Sequence, residues 1–197
     1  MYGGPVYVFR NALYNVIQET FKMHNSPSGA LFFHNTSVKK GMPLVLWDPD
    51  EPVHHCVTRN NLFIGTTGNY AYEASAPMKD CDFDYDGFGG GPFAHFLKWN
   101  GERYKSPEDA RQRAPVYKHV VMVDAATAFA SGIKPPEDEK KQHAPDINDL
   151  RLKPGTSAID AGEVLPGFND NFTGKAPDLG AYELGGPLPH YGPRQDK

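Results

Sequence analysis

The chain has 197 residues and a formal net charge of −4, from 20 Lys and Arg against 24 Asp and Glu. That length suits one domain with a sizeable core, and the charge balance leaves no electrostatic footprint for nucleic acid. No apolar run reaches the 18 residues of a membrane-crossing helix, so neither nucleic acid nor membrane is an expected partner.

MYGGP leads directly into a strand-like run, without the basic and apolar pattern of a leader peptide. From there four lines repeat one pattern: VYVFRNALY from Val6, ALFFHNTSV from Ala30, HCVTRNNLF from His55 and DCDFDYDGF from Asp80. Aligned on Asn11, Asn35, Asn60 and Tyr85, they are spaced by 24, 25 and 25 residues. One short β-branched or aromatic strand per repeat, with turn residues after it and no helical period between, is the signature of a solenoid. The expected fold is all-β: a right-handed parallel β-helix of 24–25 residues per coil and about five or six coils. Four unrelated strands of a sandwich are the alternative.

Strand alternation assigns the faces. Tyr7, Leu31, Cys56 and Cys81 form one expected interior column, and Phe9, Phe33, Thr58 and Phe83 the other. Asn11, Asn35 and Asn60 are expected to stack at the turn as a hydrogen-bonded ladder. The outer face then carries Arg10, His34, Arg59 and Asp84, beside Val8, Phe32, Val57 and Asp82. Cys56 and Cys81 are expected as neighbours on adjacent coils, either as two stacked thiols or, in an oxidising compartment, as a disulfide.

Only MYGGP precedes the first repeat, so the first coil is expected to expose core side chains and an unpaired edge. Either the chain is the last part of a longer solenoid, or another copy covers that end and the protein is a homo-oligomer. The regular coils are expected over residues 1–88 and loop-rich coils over 89–149, with a glycine-rich loop after Phe88. Ser106-Pro107-Glu108-Asp109 reads as a helix start, with the helix near 107–114. Residues 117–124 read as a strand, 134–149 as a surface loop, and 150–197 as a closing segment forming an irregular cap.

The run LRLKPGTSAIDAG from Leu150, followed by DLGAYE from Asp178, resembles the ending of bacterial right-handed parallel β-helix proteins. Thr156-Ser157 stands where Ser-Pro is usual in that ending. The stretch from Cys81 through FLKWNGERY is similar to the region before it. That grouping includes polysaccharide lyases and glycoside hydrolases, often secreted or periplasmic. The resemblance implies carbohydrate as the substrate class, a polysaccharide or oligosaccharide, and hands over no catalytic motif. Asp160, Asp178 and Glu183 of the ending are read as structural, binding one another's backbones.

Within that reading the outer column is the place for chemistry. Arg10 and Arg59 offer guanidinium forks suited to the carboxylates of an acidic polysaccharide. His34 is the expected base of lyase-type chemistry, with Asp84 in the same column and His55 and Asp82 as substrate contacts. Trp99 and Tyr104, with Tyr70 and Tyr72, offer rings for stacking on sugars. Asp80, Asp82, Asp84 and Asp86 alternate, so one strand would place four carboxylates on one face, where Ca²⁺ or Arg59 would neutralise them. Position twelve of the EF-hand-like opening at Asp82 is Phe93, which argues against that motif. Paired carboxylates such as Asp82 or Asp84 with Asp48 or Glu73 would instead suit a hydrolase. A truncated, non-catalytic glycan-binding coil is the remaining alternative.

Overall fold

A computed structural model describes residues 5–22, 26–47, 51–146 and 149–188. The first turn of the solenoid holds β1 (Val6–Phe9), β2 (Ala12–Tyr14) and β3 (Phe21–Lys22). The second holds β4 (Ala30–Phe33), β5 (Thr36–Val38), β6 (Leu44–Trp47) and β7 (Val53–His54). The third holds β8 (Val57–Arg59), β9 (Leu62–Ile64), β10 (Gly68–Ala74) and β11 (Met78–Lys79). After them come β12 (Asp82–Phe83), β13 (Gly87–Gly89), β14 (Phe93–Trp99), β15 (Glu102–Tyr104), α1 (Pro107–Arg113) and β16 (Val121–Val123).

The strands stack into three long sheets and one short one. Sheet A runs β1-β4-β8-β12, sheet B runs β2-β5-β9-β13-β16, and sheet C runs β3-β6-β10-β14-β15, while β7 pairs with β11. Every pairing is parallel except β14 with β15. This is a parallel β-helix of about three turns with one short helix. The five or six coils expected are not reached, because the winding breaks after Trp99. There Asn100 and Gly101 both have positive φ, 49° and 82°, and fold β15 back on β14 as a two-residue hairpin. Phe93–Trp99, read from sequence within a glycine-rich loop, is a seven-residue strand of sheet C.

The corner between sheets A and B sets the frame. Arg10, His34, Asn60 and Tyr85 take left-handed φ of 52°, 53°, 58° and 53°. The residue after each, Asn11, Asn35, Asn61 or Asp86, forms the ladder. Asn35 Oδ1 accepts from the backbone N–H and side-chain amide of Asn11 at 3.1 and 2.9 Å. Asn61 Oδ1 accepts from the same groups of Asn35 at 2.9 and 2.8 Å. Asp86 Oδ1 accepts both from Asn61, at 2.9 and 2.8 Å. A left-handed conformation costs a non-glycine residue roughly 1–2 kcal/mol. The ladder offsets that by satisfying buried backbone donors that would otherwise cost about 1–3 kcal/mol each.

The ladder therefore uses Asn61, not Asn60, and the spacing from Asn35 is 26 residues. This one-residue slip exchanges the faces of the first two coils relative to the last two. Val57 pairs with Leu31 and Asp82, and Thr58 with Phe32 and Phe83. The interior columns are Val6, Ala30, Cys56, Cys81 and Val8, Phe32, Thr58, Phe83. Tyr7, Leu31, Phe9 and Phe33, expected inside, face outward with Val57, Asp82, Arg59 and Asp84, and Tyr7 is 61% exposed. The interior reading of Cys56, Cys81, Thr58 and Phe83 stands.

Two apolar cores result. One fills the solenoid with Phe32, Leu44, Leu46, Phe63, Tyr72, Phe83, Phe88 and Trp99. Helix α1 closes the far end of this core. Its Ser106 cap accepts the Asp109 N–H at 3.2 Å, and Ala110, Ala114, Val116 and Tyr117 join the interior cluster. The other core lies outside sheet B, where Val38, Leu62 and Ile64 meet Phe129, Leu150, Leu152 and Leu179. The closing segment thus lies along a flank and does not cap an end. It is pinned there by Gly180 N–H to Asn60 O at 2.7 Å and Ala181 N–H to Thr36 Oγ at 2.8 Å. Gly180 has φ of 94°, and a Cβ at that position would run into Thr36 Oγ. Asp160, Asp178 and Glu183 bind backbone amides of this segment, as expected: Asp178 Oδ1 accepts from Asp160 N–H at 2.9 Å, and Glu183 Oε2 from Asp178 N–H at 3.0 Å.

Candidate functional site

Counting back from the pairing of Gly87 with Val121, His119 occupies the corner position after Tyr85. The corner column on the outside of the solenoid is therefore Arg10, His34, Asn60, Tyr85 and His119. Arg59 and Asp84 precede it by one position, at the outward edge of sheet A. The column expected from the sequence, Arg10, His34, Arg59 and Asp84, mixes these two.

His34 is buried, 3% exposed, beneath the closing segment. Its Nδ1 lies 3.2 Å from Gly180 O, and its Nε2 lies 3.1 Å from Asn60 Nδ2 and 2.9 Å from Asn169 Nδ2. A carbonyl only accepts and an amide nitrogen only donates, so Nδ1 carries the proton and Nε2 accepts twice. Burial pushes the imidazole down to about 4, with the nearby Arg10 charge adding to the effect. The ring is a neutral pin between the solenoid and the closing segment.

Arg59 joins three elements. Its Nε donates to Glu163 and its Nη2 to Asp82, both at 2.6 Å, and its Nη1 donates to Thr58 O and Asp82 O at 2.8 and 2.9 Å. The guanidinium fork is engaged by the protein itself, with the Asp82 and Glu163 carboxylates turned partly to solvent.

Beside it stands the arrangement most suited to proton transfer. Asp84 Oδ1 accepts the backbone N–H of His119 at 2.7 Å, and Oδ2 lies 2.7 Å from His119 Nδ1. The His119 ring stacks on Tyr85 at 4.3 Å and 13°. Asp84 is 13% exposed at its side chain and His119 is 56% exposed, so the carboxylate fixes the ring while the ring faces solvent. Partial burial and the neighbouring carboxylates Glu163 and Asp84 push the Tyr85 phenol above its ordinary range, keeping it protonated at neutral pH.

The other expected residues lie elsewhere. His55 and Asp80 are exposed left-handed corner residues before β8 and β12, with φ of 50° each. Trp99 and Tyr104 are 3% and 2% exposed, and Tyr70 and Tyr72 are buried too, so these rings pack the protein and offer no face to a sugar. The four aspartates do not share a face. Left-handed Asp80 and Tyr85 break the alternation, and Asp86 turns inward as the foot of the ladder. Its carboxyl is pushed up to about 7 by burial against three stabilising hydrogen bonds. Among the described residues no three His, Cys, Asp or Glu side chains converge as metal ligands, so the expected Ca²⁺ arrangement is not formed. Asp48 lies outside the described residues.

The sequence reading missed His119, Tyr85 and Glu163 as site residues. An inserted hairpin and helix put His119 34 residues after Tyr85, outside the 25-residue repeat. Glu163 reaches Arg59 only through the backward run of the closing segment. No family model, no curated protein and no solved structure matches this chain.

Because the His34 pKa is lowered, the unfolded chain takes up a proton below about 6.5 that the native chain refuses until about 4. That contribution is lost as pH falls through this window, and amounts to roughly 2 kcal/mol between pH 7 and pH 5. Asp86, with its raised pKa, contributes in the opposite sense, gaining stability as pH falls through about 7. Denaturant titrations of the wild type and His34→Gln at both pH values separate the two. The variant is expected to lose about 2 kcal/mol less than the wild type on acidification.

Proposed function

We propose that this chain belongs to a right-handed β-helix that acts on a polysaccharide, with proton transfer at the outer corner of sheet A. The observation that carries the reading is the exposed His119 ring held by Asp84 and stacked on Tyr85. An elimination needs a base for the proton beside the sugar carboxylate and an acid for the leaving oxygen. An oriented imidazole and a protonated phenol at ring-stacking distance supply both roles from one side. The resemblance of the closing segment to β-helix lyases and hydrolases supports carbohydrate as the substrate class. Arg59 acts by holding Asp82 and Glu163 in place, and His34 by pinning the closing segment. Hydrolysis is the second reading, favoured by two carboxylates, Asp82 and Glu163, flanking one guanidinium.

A panel of acidic and neutral polysaccharides tests this, read by ultraviolet absorbance of unsaturated uronate and by reducing ends. His119→Ala is expected to lower the rate at least about 100-fold with an unchanged circular dichroism spectrum. Reducing ends without absorbance favour hydrolysis. A panel on which the unmutated chain neither binds nor cleaves any polymer overturns the proposal.

The open end supports an assembly reading beside the catalytic one. Val6 is 48% exposed although its column mates Ala30 and Cys56 are buried, and β1, β2 and β3 are sheet edges. Pairing of two copies through these edges would bury them. Light scattering on the purified chain is expected to give a defined oligomer, and a monomer at all concentrations contradicts this reading.

A further inference from the structure

Cys56 and Cys81 are the two cysteines of the chain, and the structure places them together. They precede the paired residues Val57 and Asp82, so they are adjacent steps of one interior column. The Asp82 N–H donates to Cys56 O at 2.9 Å, tying the two backbones directly. Neighbouring strands lie about 4.8 Å apart, inside the roughly 4.4–6.8 Å between α-carbons that a disulfide spans. Their thiols are hydrogen-bonded to each other. Both are free, and they differ in access: Cys56 is buried, and Cys81 is partly exposed beside exposed Asp80 and Asp82.

We propose that Cys56 and Cys81 are a modification site, closing an intramolecular disulfide that joins two successive coils by exchange with a low-molecular-weight disulfide. The accessible Cys81 sulfur, as thiolate, attacks the oxidant disulfide, forms a mixed disulfide and releases one oxidant thiolate. Cys56 then gives up its proton and attacks Cys81 Sγ. The new S–S bond forms and the second oxidant thiolate leaves. Two protein thiols are oxidised, one oxidant disulfide is reduced to two thiols, and two protons are released. The hydrogen bond from Cys81 holds the Cys56 thiol below its ordinary range, which suits Cys56 as the resolving thiolate. A bond here closes a loop of about 25 residues from the strand that carries Arg59 to the strand that carries Asp82 and Asp84.

The test uses the full chain and glutathione disulfide as the oxidant. After oxidation, unfolding and thiol alkylation, the wild type is expected to take up no label and to have lost the mass of two hydrogens while keeping its solution mass. The oxidised form is expected to melt roughly 5–10 °C above the reduced form. Cys56→Ser is expected to stop at the mixed disulfide on Cys81. Cys81→Ser is expected to take up glutathione far more slowly. Two alkylated thiols after oxidation overturn the proposal, as does a disulfide found only between chains. An oxidised form that melts no higher than the reduced one overturns the claim that the bond fits the native stack.

Discussion

The stack depends on one buried interaction repeated along its axis: a side-chain amide or carboxylate accepting from the backbone N–H and amide of the coil before it. Asn35, Asn61 and Asp86 each do this. The interaction fixes the left-handed residue ahead of it, and so fixes where sheet A ends and sheet B begins. It also makes register a matter of electrostatics as well as packing. A one-residue slip would bury an unpaired amide and turn a whole strand's apolar side chains outward. The ladder stops where Val120 takes the next interior position, and there the chain has already left the regular winding through the Asn100–Gly101 hairpin.

The same corner generates the candidate site. A residue forced into a left-handed conformation just before a ladder residue projects away from the solenoid, so the corner column becomes a line of outward functional groups. The closing segment divides that line. It covers His34 and Asn60 through Gly180, Glu163 and Asn169, and it leaves Tyr85 and His119 open. One histidine of the column is thus neutral and buried, and another is exposed and held by a carboxylate. Their different roles follow from what packs over them and not from the solenoid.

The solenoid class and the interior of its last two coils were legible in the sequence, because short β-rich lines at a fixed spacing leave few other folds. The capped helix at Ser106 was legible because its signals are local. The exact register was not, because Asn60 and Asn61 stand side by side and either satisfies the pattern. Only the hydrogen bonds from Asn35 and to Asp86 choose between them, and that choice exchanges the faces of the first two coils. His119 was hidden by the insertion before it, and Glu163 by a chain reversal with no periodic trace. The expected sugar-stacking role of Trp99 and Tyr104 failed for a related reason, since an aromatic residue reads the same whether it packs a core or faces solvent.

The most direct test of the ladder is native-state hydrogen exchange followed residue by residue. The backbone amides of Asn35 and Asn61, bonded only to the side chains of the next coil, are predicted to exchange as slowly as the central strand amides of sheets A and B. Asn11, at the open end, is predicted to exchange faster. Fast exchange at Asn35 and Asn61, at the rate of exposed loop amides, would contradict the claim that this corner holds the coils in register.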